Sequence, residues 1–232
     1  MTPHTLPTTR KPPGKTITQP RIAFVGKGGS GKSTIIAHTM AHLHDKNIPC
    51  SAMDADEPGD DEPGSLLDWD EITPLAGPVY PAPSRSHLRA RAHQLTPPDG
   101  LLLIDTGAWL RKAGGTHFAV LSAADLVVLT MAPTRMEISR AGSVLAAMDH
   151  LTEVGAHTPQ LVILLTMLTR SASSGAETAQ TLRDAGYTVL RTSITRSDAK
   201  DGYAQSFGRE PRVIRGSSMD CLTDELLDLV TR

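Results

Sequence analysis

The nine residues Gly26-Lys27-Gly28-Gly29-Ser30-Gly31-Lys32-Ser33-Thr34 constrain this chain more than any other stretch. The apolar run Ile22 to Val25 precedes them and Ile35-Ile36-Ala37 follows, so a short strand leads into a glycine loop and then into a helix. In that context a Gly-x-x-x-x-Gly-Lys-Ser string reads as a phosphate-binding loop. Glycines let successive amides turn toward an anion with no Cβ in the way, and the following helix directs its electropositive end to the same point. Gly28, Gly29, Ser30, Gly31, Lys32, Ser33 and Thr34 are the expected nucleotide-binding residues. Lys32 would reach the β- and γ-phosphates, and the Ser33 hydroxyl would ligate Mg2+.

Two acidic strand ends extend the pattern. After a helix expected over residues 31–45, with Ile36, Met40 and Leu43 facing a sheet, residues 49–53 read as a second strand ending in Asp54-Ala55-Asp56-Glu57-Pro58. Further on, Leu101-Leu102-Leu103-Ile104-Asp105-Thr106 is an apolar run that fits a strand buried on both faces. A carboxylate at the end of such a strand is costly without a cation or donors, and Mg2+ supplies that partner. Asp105 is therefore an expected metal residue, together with Ser33. Open parallel sheets form their ligand crevice at the carboxyl ends of the strands, where these acids fall. The fold class that follows is α/β, a doubly wound, mostly parallel sheet flanked by helices.

Lys27 narrows the class, because the loop needs only one lysine for its own nucleotide. The string Lys-Gly-Gly-Ser-Gly-Lys-Ser-Thr resembles the deviant phosphate loop of the ParA/MinD family of P-loop ATPases, and especially the small plasmid-partition ParA proteins. Residues 54–58 are similar to that family's Asp-x-Asp-Pro-Gln signature, with Glu57 and Pro58 in place of Pro-Gln. Asp105-Thr106-Gly107-Ala108-Trp109 stands where members commonly have Asp-Thr-Pro-Pro. The segment from Ala124 to Val144 also resembles the family, and so does the stretch from Thr192 to Pro211. The resemblance covers residues 21 to about 215, with a gap in the acidic loop.

The resemblance implies ATP and Mg2+ as cofactors and an ATP-dependent homodimer in which Lys27 crosses to the partner's nucleotide. It implies that Asp56 positions the hydrolytic water and that Asp54 joins Ser33 and Asp105 as a metal residue by supporting the metal shell, so that Lys27, Lys32 and Asp56 are the catalytic residues. Thr166 takes the place of an asparagine beside the adenine, and Ile194 leads the loop that covers it. The same resemblance implies non-specific DNA binding, hydrolysis stimulated by a centromere-binding ParB-like protein, and a cytoplasmic protein associated with the nucleoid when ATP-bound. Two other readings of the loop stay open. One is a metabolic ligase or kinase of the dethiobiotin-synthetase type, the other a non-hydrolysing nucleotide-switch regulator.

Composition limits the partners. With 23 basic and 25 acidic residues among 232, no global basic field attracts nucleic acid, so any DNA surface must be local. Arg191, Arg196, Lys200, Arg209, Arg212 and Arg215 give the stretch 191–215 a modest basic excess and are the expected DNA-binding residues. Arg85, Arg89 and Arg91 line the exposed face of a helix expected over 84–95, above a buried stripe of Leu88, Ala92 and Leu95. From Ser51 to Glu71 nine acids occur with no lysine or arginine, a solvated and switch-like loop that Trp69 would anchor. Two cysteines, Cys50 and Cys221, support neither a disulfide framework nor a metal cluster.

The remaining expectations concern organisation. Residues 1–20 hold five prolines and no acid and read as a flexible basic arm ahead of an ATPase domain over 21–232. His38 and His42 are read as surface histidines. Ile138, Leu145 and Met148 are the core positions of a helix over 136–150, and residues 188–190 the last strand. The segment 219–232 is an acidic helix, not a basic amphipathic one, so no membrane partner is expected.

Overall fold

The protein is described here by a computed structural model covering residues 19–56, 66–109, 115–169, 174–199 and 202–231. Most of the expected N-terminal arm, the middle of the acidic loop and Lys200 lie outside these residues. The strands are β1 (Arg21–Gly26), β2 (Cys50–Ala55), β3 (Val79–Pro81), β4 (Leu101–Thr106), β5 (Leu126–Met131) and β6 (Gln160–Leu165). They form one sheet in the order β3-β2-β4-β1-β5-β6, every pair parallel. Helices α1 (Lys32–Asp45), α2 (Leu66–Ile72), α3 (Leu88–Leu95), α4 (Gly115–Ala123), α5 (Arg135–Glu153), α6 (Ser174–Asp184) and α7 (Ser218–Val230) cover its faces.

The central strands are buried on both faces because each face has its own apolar layer. Phe24, Leu103 and Val128 pack with Ile36, Met40 and Leu43 of α1 and with Leu222 and Leu226 of α7. Val25, Ile104 and Val127 point the other way, toward Leu88 of α3, Val120 of α4, Val144 of α5 and Leu182 of α6. Leu88, Ala92 and Leu95 are buried as expected, and Arg85, Arg89 and Arg91 are exposed. That expected helix begins as a 3-10 turn at Arg85–His87 before becoming α3.

Four expectations are corrected. His38 and His42 are not on the surface: they are 3% and 1% exposed, because α1 lies between the sheet and a cover formed by α7, α2 and the segment before α7. The second strand begins at Cys50, since Pro49 has no amide and contributes only its carbonyl, to Leu101. Residues 188–190 form a single bridge, Ile163 to Val189, rather than a strand. The Glu225 carboxylate of α7 takes the amides of Arg191 and Thr192 at 2.8 and 2.9 Å, diverting the groups that would continue the ladder. In α5 the buried positions are Ala141, Val144, Ala147, Met148 and Leu151, while Leu145 and Ile138 are half-buried.

Candidate nucleotide and metal site

The glycine loop joins β1 to α1 at the centre of the sheet, between β4 and β5. Gly29 and Gly31 have φ of +76° and +92°, left-handed values that side chains resist. Gly31 is the N-cap of α1 and brings no side chain to the first turn, so that turn's amides are available to an anion. Neighbouring strands hold the loop in place. The Trp109 amide donates to the Gly26 carbonyl at 2.8 Å, and the Thr130 hydroxyl, 3.1 Å from the Val25 carbonyl, lies 2.8 Å from the Ser30 hydroxyl. Lys32 is buried and donates to the carbonyls of Gly26 and Lys27 at 3.4 and 3.3 Å, folded back on its own loop. Burial lowers its pKa, and the nearby carboxylates of Asp105 and Asp56 oppose that shift.

Asp105 stands at the end of β4, in register with Asp54 of β2 and Phe24 of β1. It is 1% exposed, and neither carboxyl oxygen completes a hydrogen bond of normal geometry. Desolvation pushes its pKa up to about 7, against the pull of the Lys32 ammonium and the Ser33 hydroxyl. A buried carboxyl with both oxygens unengaged beside a serine hydroxyl fits Mg2+, which takes few protein oxygens and fills its shell with phosphate and water. Among the described residues no group of three or more His, Cys, Asp or Glu forms a metal cage, and a nucleotide-bound Mg2+ does not need one.

Asp54 is engaged differently. Its carboxylate accepts the amides of Asp56 at 2.9 Å and of Leu67 at 3.0 Å, so it ties the end of β2 to the start of α2. Asp56 leans over the end of β4 against Gly107, where any Cβ would collide with its Oδ1. This gives a physical reason for glycine at the position that commonly holds proline in the family the sequence resembles. Lys27 is exposed, with Nζ 3.5 Å from Glu137 Oε1 in the first turn of α5.

Thr166 and Ile194, distant in sequence, line one cleft of about 60 Å3 beside Ser30, Gly31 and Thr34. The Ile194 amide donates to Leu165 and the Leu168 amide to Ile194, so the two segments run side by side. The Thr166 hydroxyl is buried with no hydrogen-bond partner, and Met167 adopts φ +56° with its terminal methyl near Gly31.

The expected DNA residues are dispersed. Arg191 pairs with Glu225 of α7 at 3.5 Å, Arg196 with Asp198 at 2.9 Å, and Arg215 with Asp45 of α1 at 3.5 Å. Arg209 and Arg212 are exposed on the segment before α7. Sequence reasoning missed Glu137, Gly107 and Thr130. Of these only Thr130 carried a local signal, a hydroxyl at the end of a buried apolar strand.

No protein-family model matches the sequence, and no curated protein matches it. Solved structures do. A ParA family ATPase from Chlorobium tepidum is 19% identical, with a TM-score of 0.61 over 91% of this chain and 98% of that one. The fold is that of the ParA/MinD ATPases. The septum site-determining protein MinD from Pyrococcus horikoshii, complexed with Mg-ADP, gives 17% identity and a TM-score of 0.62 over 92% and 96%. Cobyrinic acid a,c-diamide synthase from Mycobacterium smegmatis, with bound ADP and magnesium, gives 17% and 0.64 over 90% and 92%. The ParA/MinD-like fold therefore extends across nearly the whole chain and includes metabolic enzymes as well as ATPases. Among the described residues no helix is long and apolar enough to cross a membrane.

Proposed function

We propose that this chain is a ParA-type ATPase that dimerises on ATP and Mg2+, binds DNA without sequence preference, and partitions a plasmid or chromosome. One observation carries the nucleotide part of this reading: the buried, unengaged carboxyl of Asp105 lies beside Ser33 and Lys32 at the foot of a phosphate loop that holds a second lysine. Ser33 and Asp105 would hold Mg2+, with Asp54 supporting them from β2 through its hold on Asp56. When bound, Mg2+ neutralises charge on the β- and γ-phosphates.

The chain's own groups supply the rest. Lys32 leaves the loop carbonyls for the phosphates, and the amides of the loop stabilise charge on the transferring group. Asp56, placed by Asp54 and Gly107, holds the attacking water. Lys27 leaves Glu137 and reaches the nucleotide of a second copy. Thr166 and Ile194 flank the base, whose cleft at about 60 Å3 is below the ~300 Å3 of ordinary ligand pockets, so Met167 or the facing loop moves when the base enters. Arg191, Arg196, Arg209, Arg212, Arg215 and Lys200 are the proposed DNA contacts, and a ParB-like partner the proposed activator.

The test is binding to a random-sequence DNA duplex with ATP and with ADP at two salt concentrations. Tight, salt-sensitive binding with ATP alone is the expected result, because phosphate contacts weaken steeply with salt. Absence of binding in both states overturns it. The likeness to cobyrinic acid a,c-diamide synthase favours the second reading, a metabolic ligase. That reading predicts turnover that needs a small carboxylate acceptor and ignores DNA.

A further inference from the structure

A cavity of about 730 Å3 lies behind α1, within the size range of small-molecule sites. His38 of α1, Tyr203, Ser206 and the segment from Arg209 to Ile214 line it. It is separate from the cleft beside the phosphate loop: among the described residues the two linings share Tyr203 alone.

His38 forms the inner wall. Its ring is held edge-on by Tyr203 at 5.0 Å and by Trp69 at 6.4 Å, and it is 3% exposed. Neither ring nitrogen has a hydrogen-bond partner, and the Arg212 carbonyl, though it acts on the ring, does not complete a bond of normal geometry. A buried imidazole left in this state is costly, and the ring forms part of the wall beside whatever enters the cavity. The remaining wall is mixed. Pro211, Val213 and Ile214 provide an apolar side, of which Val213 and Ile214 stay 38% and 55% exposed, and Arg209 and Arg212 bring cationic side chains. Among the described residues of the lining Glu210 is the one carboxylate, and the arginines outnumber it.

We propose that this cavity is a second ligand site, one that takes a small organic anion with a planar apolar body. The apolar body lies against Tyr203, Val213 and Ile214, with its edge beside the His38 ring, and the anionic group meets Arg209 and Arg212.

The probe is 1-anilinonaphthalene-8-sulfonate, an aromatic anion with a planar naphthalene body, titrated into the full chain by fluorescence, with histidine ring resonances followed by NMR. Saturable one-to-one binding that shifts the His38 resonances is expected, weakened at least ten-fold by Arg212→Glu and by Arg209→Glu. Both side chains are exposed, and an unchanged thermal melt verifies that the variants keep the fold. Excess Mg-ADP distinguishes the two cavities. Retention of the probe supports the proposal, whereas displacement places the probe in the nucleotide cleft and overturns it. Non-saturable binding, or binding indifferent to both arginine substitutions, also overturns it. The Mg-ADP arm rests on nucleotide binding by the phosphate loop, whereas the His38 shift and the arginine substitutions test the cavity whether or not the ATPase reading holds.

Discussion

The ammonium of Lys27 lies 3.5 Å from a carboxylate oxygen of Glu137, so the lysine proposed to reach another subunit is held by its own. The pair is half exposed at the lysine end, and exposed ion pairs contribute ~0.5 kcal/mol or less. Glu137→Gln is therefore expected to leave the melting temperature within a few degrees while raising the fraction of ATP-dependent dimer several-fold in light scattering. Lys27→Ala is expected to bind nucleotide and remain monomeric with ATP. An ATP-dependent dimer of that variant would remove the cross-subunit role.

Gly107 is the space that Asp56 occupies. Gly107→Ala is expected to displace the carboxylate and lower turnover by roughly ten-fold or more, since small misplacements of a catalytic group are that costly. ATP affinity should change little. Asp56→Ala is expected to bind ATP, dimerise and lose turnover. A Gly107→Ala protein with ordinary hydrolysis would mean that Asp56 is not the water-holding group.

Asp105, with its pKa pushed up to about 7 by burial, destabilises the metal-free fold once it ionises. The native state holds this proton more tightly than the unfolded chain, so its contribution to stability falls as pH rises from about 4 to 7 and stays low above that range. Asp105→Asn removes the penalty. Its expected signature is a metal-free protein more stable at pH 8 than the parent, by on the order of a few kcal/mol, with a smaller gain from Mg-ADP than the parent shows. Calorimetry with and without Mg-ADP measures both effects.

His38 acts in the opposite sense. Burial lowers its pKa from 6.5 to about 4, so the unfolded chain takes up a proton that the native state refuses. Stability from this group is complete above pH 6.5 and is lost as pH falls toward 4, by up to about 3 kcal/mol. The pKa of His42 is lowered in the same direction, again chiefly by burial. His38→Phe should flatten the fall in melting temperature between pH 6.5 and 4.5. A slope equal to that of the parent would assign the acid lability to other groups.

The nucleotide side of the fold was legible because its signals are local. A glycine string between an apolar run and an apolar-periodic stretch, and an aspartate closing a four-residue apolar run, are each readable within ten residues. What was not legible depends on distant contacts. Val79-Tyr80-Pro81 pairs as a strand only because β2 offers an edge, where proline is tolerated. Residues 188–190 fail to pair as a strand because Glu225, more than thirty residues on, captures the next amides. His38 and His42 have the polarity of surface residues and the four-residue spacing of one helix face. Only the packing of Trp69, Tyr203 and α7 over α1 shows that this face is interior.

Asp54 holds Asp56 with one oxygen and the first turn of α2 with the other. Two residues along α2 from the second hold, the Trp69 indole donates to the Arg209 carbonyl at 2.8 Å, and Thr73, just past the helix, donates to the Gly208 carbonyl at 2.9 Å. Asp56, the aspartate proposed to hold the attacking water, and an arginine-bearing stretch about 150 positions later are thus two ends of one short mechanical linkage with α2 as its rod. Loosening Asp54 is expected to unfasten both ends together, and hydrogen exchange at Arg209 and at Asp56 should rise in step.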